Sequence, residues 1–350
     1  MAGTGAWADD ATVTFVVSDP ARALAGVRLR QDARIPSDLL DFRQVGDNWV
    51  LGIARPPVSR MEYLLELRHA DGGTDVVTDP GNPLQVAGAF GPKSVIEFPS
   101  YVSPAWLSAA AEPGRVSSFD LPAASLDASI AVQTWAPPET PDDEALPLLV
   151  VHDGPEYDAL ASLTRYLSAG VTGQWLPRLR AALLSPGPRD SWYSANPRYA
   201  RALRHSVIPA LADRVPTSVR IGMGTSLGGL AMLHAHCLYP DSFDALFLQS
   251  GSFFLPRFDS QENWFRHFRR ITRFVARLHG DATAASRPVP TVLTCGAIEE
   301  NVQNNRLMAQ TLRERGYPAC LYEVPDQHNY TAWRDAFDPC LTRLLGRVCS

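Results

Sequence analysis

The stretch that most constrains this chain is SVRIGMGTSLGGLAMLHAHCLY, residues 218–239. An apolar, strand-like run leads into Gly224-Thr225-Ser226-Leu227-Gly228, a third glycine follows at 229, and an apolar helical run begins at once. G-x-S-x-G between a strand and a helix is the setting of a nucleophile elbow, a turn so sharp that its serine is forced into a strained backbone conformation. Gly224 and Gly228 stand where strand and helix must approach without a Cβ between them. The first N–H groups of a helix lack partners within it, so the N–H of Leu227 is placed to hold a developing oxyanion. Ser226 is the candidate nucleophile; the plainer alternative is a glycine-rich turn between packed elements.

A serine hydroxyl needs a base to take its proton. Of eight histidines, His328 lies in VPDQHNYTAW, directly after the last strand-like run, CLYEVP (320–325). A parallel sheet gathers its functional loops at the C-terminal ends of its strands, and that is where this histidine falls. His234 and His236 sit inside the helix after Ser226, whereas His205, His267 and His279 occupy arginine-rich helical stretches and His69 borders the HADGG turn. His152 ends LPLLVVHDG (146–154) and belongs to the loop expected to supply an oxyanion donor. A carboxylate must orient the base, and TCGAIEENVQNN offers Glu299 and Glu300 after the preceding strand. The resulting chain order of serine, acid and histidine is that of the α/β-hydrolase fold. In HDGPEY, Pro155 has no N–H, which leaves Gly154 or Glu156 as the second donor, with Gly154 preferred.

The remaining pattern supports this frame. At 350 residues the chain exceeds what one core usually serves. Residues 1–98 carry short alternating runs such as TVTFVVS, NWVLGIARP and EYLLELRHADGG, with turn residues about every ten positions, which predicts a small antiparallel sandwich. Residues 99–125, rich in Pro, Ser and Ala, read as a linker. Over 126–350, strand-like runs at 129–137, 146–154, 179–187, 218–224, 243–251, 289–296 and 320–325 are joined in the later part by helical stretches at 227–239, 259–278, 302–315 and 330–345. That alternation predicts an α/β domain, a mostly parallel sheet with helices on both faces.

A net charge of −5 gives no broad positive field, so neither nucleic acid nor a membrane surface is an expected partner. MAGTGAWADDATVTF lacks a basic region followed by an apolar core, and no apolar run approaches eighteen residues, so the expectation is a cytoplasmic protein. The five cysteines are widely spaced, the pattern of reduced structural thiols and not of a metal site. The 32 Lys and Arg residues include a single lysine, Lys93, which reads as coding bias.

GTSLGGLAML, LQSGSFF (248–254), CGAIEENVQNNRLMAQTLRERGY (295–317), DQHNYTAWRDAF (326–337) and VVTDPGNPLQV (76–86) together resemble the esterases related to enterochelin esterase. The resemblance covers most of the chain and implies an immunoglobulin-like domain joined to an α/β-hydrolase domain. It implies Ser226 as nucleophile, His328 as base and Glu299, at the G-x-x-E position counted from Gly296, as acid. The family's R-x-x-E segment departs here: RDSWYSANPRY keeps Arg189 and Asn196 but has Trp192 in place of glutamate, and SVIP stands where ELLP is expected, which bears on substrate more than on reaction.

The expected function is a serine carboxylic ester hydrolase working through an acyl-enzyme on a small-molecule ester, siderophore-type or aryl, with no metal or organic cofactor. Trp192, Tyr193, Phe253 and Phe254 are candidates for an aromatic wall around an aryl acyl group, or else pack beneath loops. Acyl transfer of the mycolyltransferase-related type, a peptidase and a non-catalytic binding protein on the same scaffold are the alternatives. The oligomeric state is left open.

Overall fold

The computed structural model describes residues 4–33, 35–281 and 283–349. Two compact units make up the chain: one is Met1–Val102 with the short segments Gly296–Glu300 and Pro325–Asn329, and the other is Ser103–Cys295, Asn301–Val324 and Tyr330–Ser350.

The first unit contains β1 (Gly5–Ala8), β2 (Thr12–Ser18), β3 (Leu24–Gln31), β4 (Arg43–Val45), β5 (Asn48–Ala54), β6 (Arg60–His69), β7 (Thr74–Val77), β8 (Gln85–Val86) and β9 (Lys93–Glu97). They form two antiparallel sheets, ordered β1-β2-β5-β4 and β3-β6-β9-β8, with β7 on β6. The expected sandwich follows from period-two patterning: along β5, Trp49, Leu51 and Ile53 turn inward and meet Phe15, Met61, Tyr63 and Leu65 in one core. Ile298, from the 296–300 segment, packs against that core.

The second unit is built on an eight-stranded sheet of β10 (Arg115–Ala123), β11 (Ala128–Ala136), β12 (Leu146–His152), β13 (Arg180–Leu184), β14 (Thr217–Thr225), β15 (Ala245–Gln249), β16 (Thr291–Gly296) and β17 (Ala319–Val324). The order is β10-β11-β13-β12-β14-β15-β16-β17; β10, β11 and β13 pair antiparallel, whereas β13, β12, β14, β15 and β16 run parallel. Every residue of β12 is buried, as its unbroken apolar run requires when both sheet faces are covered. Leu148, Val150, Ala182, Leu184, Leu246 and Leu248 lie in one core, and Leu149, Val151, Ala181, Leu183, Ala245 and Phe247 in another, so neighbours along each strand feed opposite faces.

The principal helices are α1 (Gly154–Ala161), α2 (Leu163–Thr172), α3 (Arg189–Tyr193), α4 (Pro197–Ala202), α5 (Ile208–Ala212), α6 (Leu227–Leu238), α7 (Phe268–Gly280), α8 (Val302–Glu314), α9 (Tyr330–Asp335) and α10 (Thr342–Val348). Helix α6 is buried continuously from Leu227 to His236, which explains why LGGLAMLHAHCL is apolar all round.

Three elements differ from expectation. The 99–125 stretch contains β10, an edge strand that tolerates Pro122 and buries only Leu121 and Ala123. The helix expected from 259 starts at Phe268, after a 3-10 turn at Ser260–Trp264. The helix expected over 330–345 is interrupted by a π-turn at Phe337–Leu341, where Pro339 has no N–H to continue an α ladder.

Candidate active site

Ser226 joins β14 to α6 with φ 53° and ψ −123°, a region that non-glycine residues avoid at a cost of about 1–3 kcal/mol. Its backbone is held on both sides: its N–H donates to the Gln249 carbonyl at 2.9 Å, and its carbonyl accepts from Leu230 N–H and Ser252 N–H, each at 3.1 Å. A Cβ on Gly224 would stand 2.5 Å from the carbonyl carbon of Gly228, and one on Gly228 would stand 3.0 Å from Asp153 Oδ2 and 3.2 Å from His152 Cβ. Space therefore requires a glycine at 224, whereas at 228 a Cβ would be tight against the Asp153 and His152 side chains. Ser226 Oγ lies 3.1 Å from Ser252 Oγ, a contact between separate elements that nothing local to LQSGSFF signals. Leu227 opens α6, so its N–H is one of the unpaired first-turn donors.

The loop after β12 is equally constrained. Asp153 has φ 51°, and Gly154 opens α1 where a Cβ would fall 2.3 Å from Leu183 Cα. Asp153, whose side chain is 1% exposed, takes a two-pronged bond from Arg189, Nε to Oδ1 and Nη2 to Oδ2, each 2.8 Å. Its partner lies 36 residues away, which is why only Arg189 drew notice in the sequence. His152 is fully buried, stacks on Tyr193 at 4.5 Å, and is bonded at both ring nitrogens: Nδ1 to the Gly228 carbonyl at 2.9 Å and Nε2 to Tyr199 Oη at 2.8 Å. Burial pushes its pKa down to about 4, against a smaller opposing pull from the Gly228 carbonyl and Asp153. A neutral ring facing a carbonyl through Nδ1 carries its proton there, so Nε2 accepts from Tyr199.

The four aromatic candidates all lie in the core: Trp192 is 7% exposed, Phe254 8%, and Tyr193 and Phe253 0%. Trp192 and Tyr193 belong to α3 and not to an open loop. His234 and His236 are buried in α6, and burial pushes each down to about 4.

In the first unit, the segments after β16 and β17 bring Glu299 and His328 together. Glu299 is 1% exposed; its Oε1 accepts the Gly296 N–H, and its Oε2 lies 2.5 Å from His328 Nδ1. Glu300 is exposed. The His328 side chain keeps 29% of its surface accessible. Burial opposes its charging, but the Glu299 carboxylate, by charge and hydrogen bond, and then Asp32 and Glu300 outweigh that, so its pKa is raised. The carboxylate accepts from Nδ1–H, which leaves Nε2 as the ring atom able to take a proton.

Among the described residues no group of three or more His, Cys, Asp or Glu could hold a metal ion, and no helix is long and apolar enough to cross a membrane.

A parallel-centred sheet with helices on both faces and a serine elbow after its central strand makes the second unit an α/β-hydrolase. Residues 123–344 match the family model described as "Putative esterase", and the chain belongs to that family of esterases. Similar solved structures include an enterobactin esterase from Shigella flexneri in the presence of enterobactin (19% identity, 99% of this chain and 95% of that one, TM-score 0.74) and a ferric enterobactin esterase from Salmonella typhimurium (20%, 96% and 93%, TM-score 0.76). A feruloyl esterase module from Clostridium thermocellum complexed with sinapinate is more distant (12%, 71% and 95%, TM-score 0.51). No curated protein matches the sequence.

Two outcomes follow from the packing. Gly224→Ala forces Cβ into the Gly228 backbone and lowers unfolding free energy by about 1–3 kcal/mol in urea titration. Arg189→Leu leaves the Asp153 carboxylate buried without its guanidinium and lowers it by about 3–5 kcal/mol at neutral pH.

Proposed function

We propose that the protein is a serine esterase acting through an acyl-enzyme, with Ser226 as nucleophile, His328 as general base and acid, and Glu299 orienting His328. The observation that carries this reading is the backbone of Ser226, a left-handed serine between the sterically obligatory Gly224 and the closely packed Gly228 at a strand-to-helix turn. Strain of that kind persists where function holds it. The Glu299–His328 pair supports it independently, since the carboxylate fixes the tautomer that frees Nε2.

In the proposed sequence, His328 Nε2 takes the Ser226 proton as Oγ attacks the ester carbonyl. The N–H groups of Leu227 and Gly154 hold the oxyanion, and the proton passes to the departing alcohol as the acyl-enzyme forms. Water, deprotonated by the same imidazole, then releases the acid and restores Ser226. We assign the substrate to aryl or siderophore-type esters, in keeping with the enterobactin and sinapinate of the structural neighbours.

Intact-mass analysis after a fluorophosphonate probe tests the mechanism. Wild type gains one adduct, Ser226→Ala gains none, and His328→Ala reacts at least about 10³-fold more slowly. An unlabelled, folded wild type would sink the reading. The pH profile gives a second check. His328 must be neutral to act as base, and Glu299 is what raises its pKa, so Glu299→Gln lowers that pKa and moves the acid limb of kcat/KM for an aryl ester to lower pH. The plateau falls by about 10²–10⁴-fold as orientation is lost. An acid limb that stays in place would separate Glu299 from the base.

A further inference from the structure

Strand β6 begins RMEY, and alternation predicts that Arg60 and Glu62 face solvent while Met61 and Tyr63 face the sandwich core. Instead Arg60 is 2% exposed and Glu62 3%, because the Pro325–Asn329 segment covers that face within the first unit. The cover is bonded along its length. Ser59 N–H donates to the Pro325 carbonyl at 2.7 Å, and Glu62 N–H donates to Gln327 Oε1 at 3.1 Å. Arg60 Nη1 lies 2.9 Å from Glu62 Oε1, 3.4 Å from Asn329 Oδ1 and 3.7 Å from Asp326 Oδ2. Asp326 Oδ1 in turn accepts from Gln327 N–H at 2.7 Å and Asn329 Nδ2 at 3.1 Å, closing a ring on either side of His328. The chain's single lysine ends the network: Lys93 Nζ is 2.7 Å from Asp32 and 3.8 Å from Glu62 Oε2.

Buried charge is a poor means of gaining stability, because desolvation offsets most of the attraction, but its directional bonds fix geometry. One guanidinium here serves two carboxyl groups, and burial pushes that of Asp326 up to about 7 with Arg60 pulling the other way. The residues so bonded, 326, 327 and 329, are those that flank His328, whose Nδ1 lies 2.5 Å from Glu299 Oε2. We propose that Arg60, with Glu62 behind it, is a positioning residue that locks the 325–329 segment and thereby sets the orientation of His328 for proton transfer. This rests on the role given to His328 above. It makes the all-β unit part of the machinery of the base.

A double-mutant cycle separates positioning from general support. Hydrolysis of an aryl acetate is measured for wild type, Arg60→Gln, His328→Ala and the double variant, with folding checked by circular dichroism. Arg60→Gln is expected to lower kcat about 10–100-fold with KM within about threefold, Arg60→Lys to recover most of it, and Arg60→Gln to cost nothing further in the His328→Ala background. Equal fold losses in both backgrounds, or an unchanged kcat, overturn the proposal. Should Arg60→Gln fail to fold, Gln327→Leu removes the bond to Glu62 N–H without stranding a charge and lowers kcat about 3–10-fold; a folded Gln327→Leu with full kcat overturns the proposal. Failure of the esterase reading itself looks different: wild type takes no fluorophosphonate, or His328→Ala matches wild type.

Discussion

The left-handed backbone at Ser226 sets what its neighbours can be. A residue at φ 53° and ψ −123° stays there only when its surroundings leave no alternative, and here they come from three directions. The strand supplies Gly224, the helix supplies Gly228, and β15 supplies the Gln249 carbonyl that takes the Ser226 N–H. The turn after β15 is strained as well: Ser250 has φ 48°, its Oγ accepts from Trp333 Nε1 at 2.9 Å, and Gly251 N–H and carbonyl both bond the Asn305 carboxamide. That second turn delivers Ser252 to the carbonyl and hydroxyl of Ser226, so one strained residue is fixed by another.

The same logic governs the loop after β12. Asp153 is left-handed, and its fork with Arg189 holds it against the elbow, where its Oδ2 bounds the space available to Gly228. The two loops that carry the proposed oxyanion donors are thus in close contact through the Asp153 and His152 side chains.

Much of this was legible in the sequence, and for identifiable reasons. Period-two runs revealed the sandwich, and the continuous apolar run of β12 revealed a strand covered on both faces. Glycine spacing revealed the elbow because strand and helix approach so closely that a Cβ at Gly224 would clash with backbone and one at Gly228 would be crowded. The choice between Glu299 and Glu300 needed the family pattern, since two adjacent carboxylates are equivalent on paper; in the structure Glu299 is buried against His328 and Glu300 is exposed. Contacts between distant positions left no local trace. Asp153–Arg189, Ser226–Ser252 and Arg60–Asp326 each join residues on different elements, and in the last case the partner lies more than 260 residues downstream. The aromatics of LQSGSFF and RDSWY read equally well as wall or packing, and burial places them in the core.

His152 shows what a fold can make of a titratable residue. Bonded at both nitrogens and pushed by burial down to about 4, it is neutral near neutral pH. It behaves as a rigid spacer of fixed length between the Gly228 carbonyl and the Tyr199 hydroxyl, the service an asparagine or glutamine side chain gives elsewhere, with a flat ring to stack on Tyr193 in addition. At the end of β12 the fold thus uses an imidazole as a structural strut.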